Sequence, residues 1–246
     1  THTGSSAASD VYKRQANKRL NITFFSIFII FFFIIIYLLF LRKYHLEYQV
    51  LNSDRYKNKV NLFEIKNIYK SSSLILGDSR FEGLKTNLTN EINLSVGGET
   101  SKTMFDRIKS YEFRDSIKII LGIGLNDVLF SYKTKDIRHN IARLIYQISS
   151  KTNNSEIYLC KILPINSSGF FYNKLDVNSK IRNLNLYFDS IHINSNNNKK
   201  KLIDFQEFTN NSNELKFRYS YDGIHLNKNG LNLFNKRINL FLKDEE

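Results

Sequence analysis

Hydrophobic positions divide the chain into two unlike parts. From Ile22 to Leu41, twenty successive residues carry no charge and are mostly Phe, Ile and Leu. A helix of that length spans about 30 Å, the thickness of bilayer hydrocarbon. A buried core helix would be shorter and show a polar face. A cleaved leader would carry an apolar stretch of about 7–15 residues ending in small side chains. This stretch instead runs into Leu41-Arg42-Lys43-Tyr44. The pattern predicts an uncleaved, single-pass transmembrane anchor over 22–41, preceded by an N-terminal tail over 1–21.

Beyond the anchor the period changes. In 42–72, Leu62, Ile65, Ile68 and Tyr69 fall at helical spacing and predict a short amphipathic helix leading into a domain over 73–246. Short apolar runs then read as strands at Ser73–Leu76, Ile92–Val96, Ile117–Leu121, Ile157–Ile162 and Leu202–Phe205. Helical patterns separate or follow them: Met104, Phe105 and Ile108; Ile137, Ile141, Leu144, Ile145 and Ile148; Ile181, Leu184, Leu186 and Phe188; Leu231, Phe234, Ile238 and Phe241–Leu242. Strands alternating with helices imply an α/β fold, a doubly wound parallel sheet in three layers. Right-handed crossovers bring the strands' carboxyl ends to one edge, where ligands bind.

Composition changes this picture little. The net charge is +13, and residues 44–246 hold 30 Lys+Arg against 22 Asp+Glu, a balance of +8. A basic domain tethered to a bilayer is expected to lie near anionic headgroups or glycans. No basic stripe with interleaved aromatics accompanies the charge, so nucleic acid is not an expected partner. Lys18 and Arg19 precede the anchor and Arg42 and Lys43 follow it, so charge alone sets no orientation; an extracytoplasmic domain is the expectation. Cys160 is the sole cysteine, which excludes an intramolecular disulfide, and its place in Ile157–Cys160 predicts a core residue. His2, His45, His139 and His192 lie in no metal-ligand setting, and neither metal nor cofactor is expected. The chain opens on Thr1 and its only methionine is Met104, so a start upstream is expected. Residues 1–15, including Asp10-Val11-Tyr12-Lys13-Arg14-Gln15, resemble translated adaptor sequence and are set aside from the fold.

The candidate chemistry sits just after the predicted strands. Gly77-Asp78-Ser79-Arg80 follows the first, with glycine permitting a sharp exit and Ser79 expected to open a helix. Ser95-Val96-Gly97-Gly98-Glu99-Thr100 follows the second; a glycine lets the main chain approach a substrate closely, and its N–H can hold an oxyanion. Gly122-Ile123-Gly124-Leu125-Asn126-Asp127 follows the third, and an asparagine amide is a neutral donor suited to the same task. Tyr221-Asp222-Gly223-Ile224-His225 precedes the last helix; its spacing can place a carboxylate against an imidazole. Taken singly, each has an ordinary explanation as a turn or a helix cap.

Taken together and in this order, the four motifs resemble the SGNH hydrolases, or GDSL esterases, over about residues 73–242. The resemblance implies a flavodoxin-like fold and a Ser79–His225–Asp222 triad. It places the oxyanion hole at Ser79, Gly98 and the Asn126 amide. Leu125 stands where the family often has glycine and Leu226 where it often has proline, which affects pocket shape and removes no catalytic group. The function implied is hydrolysis of O-acyl esters, with the anchor and basic surface favouring an envelope glycan or lipid. Two alternatives remain open: an O-acyltransferase with the same triad, and a non-catalytic binding or assembly module on this scaffold. Arg80, Phe130 and Tyr221 are candidate substrate contacts, as is the aromatic run Phe170-Phe171-Tyr172.

Overall fold

The computed structural model describes residues 4–65, 71–87, 90–152, 154–166, 173–193 and 200–243. The chain divides into two compact units, Thr1–His45 and Leu46–Glu246.

The first unit is helical. Helix α1, Gly4–Asn52, contains a 19-residue stretch, Leu20–Leu38, long and apolar enough to cross a membrane and with none of its surface buried against protein. The apolar run thus propagates as helix well past the predicted 22–41, because no proline or glycine interrupts the residues that follow it.

The second unit starts at Leu46. It holds the end of α1, helix α2 (Asp54–Ile65), and then β1 (Ser73–Gly77), β2 (Glu91–Asn93), α3 (Ser101–Ile108), β3 (Lys118–Gly122), α4 (Leu125–Leu129), α5 (Thr134–Ser150), β4 (Glu156–Cys160), α6 (Lys174–Ile193), β5 (Lys200–Ile203) and α7 (Lys228–Lys243). The predicted helix over 62–69 overlaps α2, which begins earlier, at Asp54, and buries Tyr56; Ile68 and Tyr69 lie outside the described residues.

All five strands are parallel, in the order β2-β1-β3-β4-β5. Their side chains alternate between two separate cores, as strands covered on both faces require. Leu74, Leu76, Ile119, Leu121, Ile157 and Leu159 join α3, α5 and α6 through residues such as Met104, Ile141 and Phe188. Ile75, Ile120, Tyr158, Cys160 and Ile203 face the other way, onto Phe234, Ile238 and Leu242 of α7. This is the three-layer α/β sandwich that the alternating pattern predicts. Burial pushes the Cys160 thiol far up, which makes it an inert core residue.

The order of the strands reverses direction between β1 and β3, so the crevice at their carboxyl ends is the topological switch point. Gly77 and Gly122 are register partners at that point. A Cβ on Gly122 would lie 1.9 Å from the Phe81 ring, and one on Gly77 would lie 2.5 Å from it. Both strands therefore end in glycine so that the Phe81 ring can cross beneath the loops that hold Ser79 and Asn126.

Candidate active site

Each loop of the site is built by its own residues. After β1 the chain makes tight turns, Phe81 N–H to Asp78 O at 3.0 Å and Leu84 N–H to Phe81 O at 3.0 Å, in place of the regular helix expected after Ser79. Asp78 Oδ1 accepts the Arg80 N–H at 3.0 Å and fixes the turn around half-buried Ser79. After β2 the ladder continues past the formal strand, with Leu94 N–H to Ile75 O and Val96 N–H to Gly77 O both at 2.9 Å. The chain reaches Gly97 and Gly98 alongside the Ser79 turn. A Cβ on Gly97 would lie 3.4 Å from that of Ser79.

Gly98 has φ +82, a conformation that costs an L side chain about 1–2 kcal/mol, and a Cβ there would lie 2.5 Å from Val50 Cγ2. Gly98→Ala is therefore expected to lose about 1–2 kcal/mol of stability in chemical denaturation, before any repacking cost. Pairing it with Val50→Ala should relieve the contact but not the backbone term. A single variant as stable as wild type would contradict this.

Two polar clips hold the glycine loop. Glu99, fully buried, takes a bidentate ion pair from Arg107 at 2.7 and 2.6 Å, and Arg107 also donates to Tyr111 Oη and Leu94 O. The second clip comes from the loop after β3. Asn126 Nδ2 donates to Glu99 O at 3.0 Å, and Asp127 accepts Ser101 N–H at 2.8 Å and Ser101 Oγ–H at 2.5 Å. One amide hydrogen of Asn126 is thus spent on the neighbour of Gly98, and the amide has a second to offer. Burial pushes the Asp127 carboxyl up to about 6 against the pull of the Ser101 hydrogen bonds.

The last loop organises itself around Asp222. Its Oδ1 accepts the N–H groups of Ile224 at 2.8 Å and His225 at 2.7 Å, while Oδ2 lies 2.6 Å from His225 Nδ1. An acidic partner at Nδ1 favours the tautomer that leaves Nε2 as the basic nitrogen. Partial burial alone would raise the Asp222 carboxyl; the hydrogen bonds from the His225 ring and the two N–H groups outweigh it and hold the acid below its ordinary range. Gly223, at φ +83, makes the turn, and Ser220 Oγ donates to His225 O at 2.7 Å.

Of the residues flanking Ser79, Arg80 bonds to this histidine loop and Asp78 lies within electrostatic reach of it. Burial raises the Asp78 carboxyl, opposed by the Arg80 charge and N–H and by His225. Arg80 is 4% exposed and donates through Nε to Ile224 O at 2.8 Å, through Nη1 to Leu163 O at 2.6 Å and through Nη2 to Pro164 O at 3.1 Å. Burial brings the guanidinium down to about 10, with Asp78 and Asp222 acting in the opposite sense. Arg80 is therefore a brace between three loops and not the reader of an anionic substrate that its position beside Ser79 suggests.

The other candidate contacts divide. Phe130 is half-buried and packs against the core of α3, α5 and α6. Tyr221 is 67% exposed, its ring stacked on that of His225 at 5.7 Å and 11°. Phe170, Phe171 and Tyr172 lie outside the described residues. Arg55 went unnoticed in the sequence: its Nη1 would lie 3.1 Å from a Cβ on Gly97, at the point where Ser79 Cβ also converges. No local signal marks it, since it sits in a polar helix 24 positions before Ser79.

The sequence model of the OSK domain matches residues 78–225. A solved structure from Streptococcus pneumoniae, described as a candidate platelet activating factor, superposes with a TM-score of 0.68 at 22% identity, covering 80% of this chain and 96% of the other. A GDSL-like lipase from Bacteroides thetaiotaomicron gives 0.64 at 20%, covering 78% and 98%. The OSK domain of Drosophila Oskar gives 0.55 at 18%, covering 78% and 98%. These likenesses show the fold. Among curated proteins, N-acylneuraminate cytidylyltransferase of Streptococcus agalactiae is 23% identical over 175 residues, 71% of this chain. The chain spans 40% of that relative's length, and 44% of the length of the Escherichia coli protein of the same name.

Proposed function

We propose that this chain, which belongs to the OSK domain family and carries the SGNH hydrolase fold, is a serine ester hydrolase acting on O-acyl esters. One observation carries the reading. The Asp222–His225 hydrogen bond of 2.6 Å lies in a loop that Arg80, the residue after Ser79, ties to the Ser79 turn at 2.8 Å. A merely structural Asp-x-x-His turn has no need of a buried arginine from the opposite end of the domain.

In the proposed reaction His225 Nε2 takes the Ser79 hydroxyl proton as Ser79 Oγ attacks the ester carbonyl. The new C–O bond converts the carbonyl oxygen to an oxyanion, held by the Ser79 and Gly98 N–H groups and by the Asn126 amide hydrogen not used on Glu99. Asp222 fixes the tautomer and stabilises the imidazolium. His225 then protonates the departing alcohol, and water, activated by the same imidazole, releases the acid and regenerates Ser79. Donors already clipped in place need no reorganisation as charge develops, which is where such sites gain most of their rate.

The substrate is read from what surrounds the site. The curated relatives act, by name, on N-acylneuraminate, which directs attention to O-acylated acidic sugars within the wider class of envelope glycans and lipids. The apolar stretch of α1 would hold the domain at a membrane, on the extracytoplasmic face where such glycans are found. The test is acetate release by the detergent-solubilised chain from O-acetylated N-acetylneuraminate, from O-acetylated neutral sugars and from p-nitrophenyl acetate. Turnover of at least one supports the hydrolase; transfer of acetyl to an added sugar without release to water would support the acyltransferase. Membership of the OSK domain family favours one further reading, a non-catalytic module, and no turnover of any ester would support that one.

A further inference from the structure

We propose that Arg55, at the start of α2, determines specificity by binding an anionic group, carboxylate or phosphate, carried by the ester substrate beside its scissile bond. The inference rests on the hydrolase reading and assigns to that site a substrate charge.

Three groups converge on the face of Gly97. From the position of a Cβ on that glycine, Arg55 Nη1 is 3.1 Å away, Glu82 Oε2 3.4 Å and Ser79 Cβ 3.4 Å. A cation therefore stands beside the nucleophile turn, supplied by a helix outside the four sequence motifs. Its position is fixed. Tyr56 is buried, Lys59 Nζ donates to Asn93 O at 3.1 Å, and Val50 lies against Gly98, so the first turn of α2 is pinned along the chain leaving β2.

The two arginines near Ser79 have opposite surroundings. Arg80 is buried, and its Nε, Nη1 and Nη2 all donate to backbone carbonyls. The Arg55 side chain is 61% exposed, and its Nη2 pairs with Glu82, whose side chain is only 13% exposed. A guanidinium offers five N–H donors in a planar fork, so an arginine engaged through Nη2 still presents donors on Nη1, here the nitrogen beside Gly97. Glu82 orients the fork and competes for it. An incoming anion would meet a cation already held in place, which lowers the ordering cost of binding.

The competition supplies the test. With the detergent-solubilised full chain, kcat/KM is measured for O-acetylated N-acetylneuraminate, for 1-acetyl-glycerol 3-phosphate and for p-nitrophenyl acetate, and each anionic value is divided by the neutral one. Arg55→Gln should lower that ratio about 10- to 100-fold, as expected for loss of one charge-assisted contact worth roughly 1.5–3 kcal/mol; Arg55→Lys should retain part of it. Glu82→Gln should raise the ratio, because it frees Arg55 from its competitor. The two anionic substrates separate a sugar carboxylate from a phosphate as the natural group. If Arg55 and Glu82 only clip α2 to the domain, both variants would lower all three activities together and leave the ratio unchanged, which would overturn the inference. Binding of N-acetylneuraminate and of glycerol 3-phosphate, followed by calorimetry, needs no turnover. Weaker binding of either in Arg55→Gln supports the inference even if the hydrolase reading fails, and equal binding of both in wild type and variant counts against it.

Discussion

His225→Ala is expected to reduce turnover of p-nitrophenyl acetate by roughly 10⁴- to 10⁶-fold, the range seen when the base of a serine hydrolase is removed. The size of the effect follows from what the imidazole does. A serine hydroxyl is a poor nucleophile until a base takes its proton, and the same group must return that proton to the leaving alcohol. Asp222 holds the ring from one side at 2.6 Å, and Tyr221 stacks on its face; alanine keeps neither contact. The backbone of the loop should persist, because Ile224 and His225 N–H groups bond to Asp222 Oδ1 and Ser220 Oγ bonds to His225 O regardless of the side chain. Circular dichroism and the denaturation midpoint should therefore match wild type closely. Adding Ser79→Ala should cost little more, since residues acting as a unit do not contribute additively. A His225→Ala enzyme within tenfold of wild type would mean that another group accepts the proton.

The second large effect is on stability. Arg80→Met keeps roughly the length of the side chain and removes its charge. Leu163, Pro164 and Ile224 would each lose a donor, and Asp78 would lose the charge that opposes its burial. Each buried carbonyl left without its donor costs about 1–3 kcal/mol, so the three together predict a loss of at least about 3 kcal/mol. That should appear as a lower denaturation midpoint, and as lost activity because the Ser79 and His225 loops are no longer tied together. Asp78→Asn combined with Arg80→Met should recover part of the loss, whereas the losses of two independent sites would simply add. A loss below about 1 kcal/mol, the worth of an exposed ion pair, would show that Arg80 is not the brace described.

The parts of this architecture legible in the sequence are those set by local rules. Apolar runs such as Leu74–Leu76 and Ile119–Leu121 have one reading once helices separate them, and glycine at a strand end is a local demand. The Asp222–His225 hydrogen bond is legible because only two residues separate the pair. Direction is not. Whether the arginine after Ser79 points to solvent or inward depends on carbonyls 83 to 144 positions away, and nothing in Gly77-Asp78-Ser79-Arg80 encodes their placement. Phe130 is ambiguous for the same reason: an aromatic after an Asn-Asp pair can line a mouth or close a core, and here it lies half-buried against the core. That the compact unit holding the sheet begins at Leu46 is not legible locally, because Tyr56 and Val50 find their partners only beyond β1. Contacts of that sequence separation decide most of what lies around Ser79.

The central claim is that Ser79 is an activated nucleophile, and reaction with a fluorophosphonate probe tests it most directly. The account predicts one covalent adduct on the folded chain, mapped by peptide mass to Ser79, absent in Ser79→Ala and strongly slowed in His225→Ala. No adduct at Ser79 on a chain shown to be folded, or equal labelling of wild type and Ser79→Ala, would contradict it.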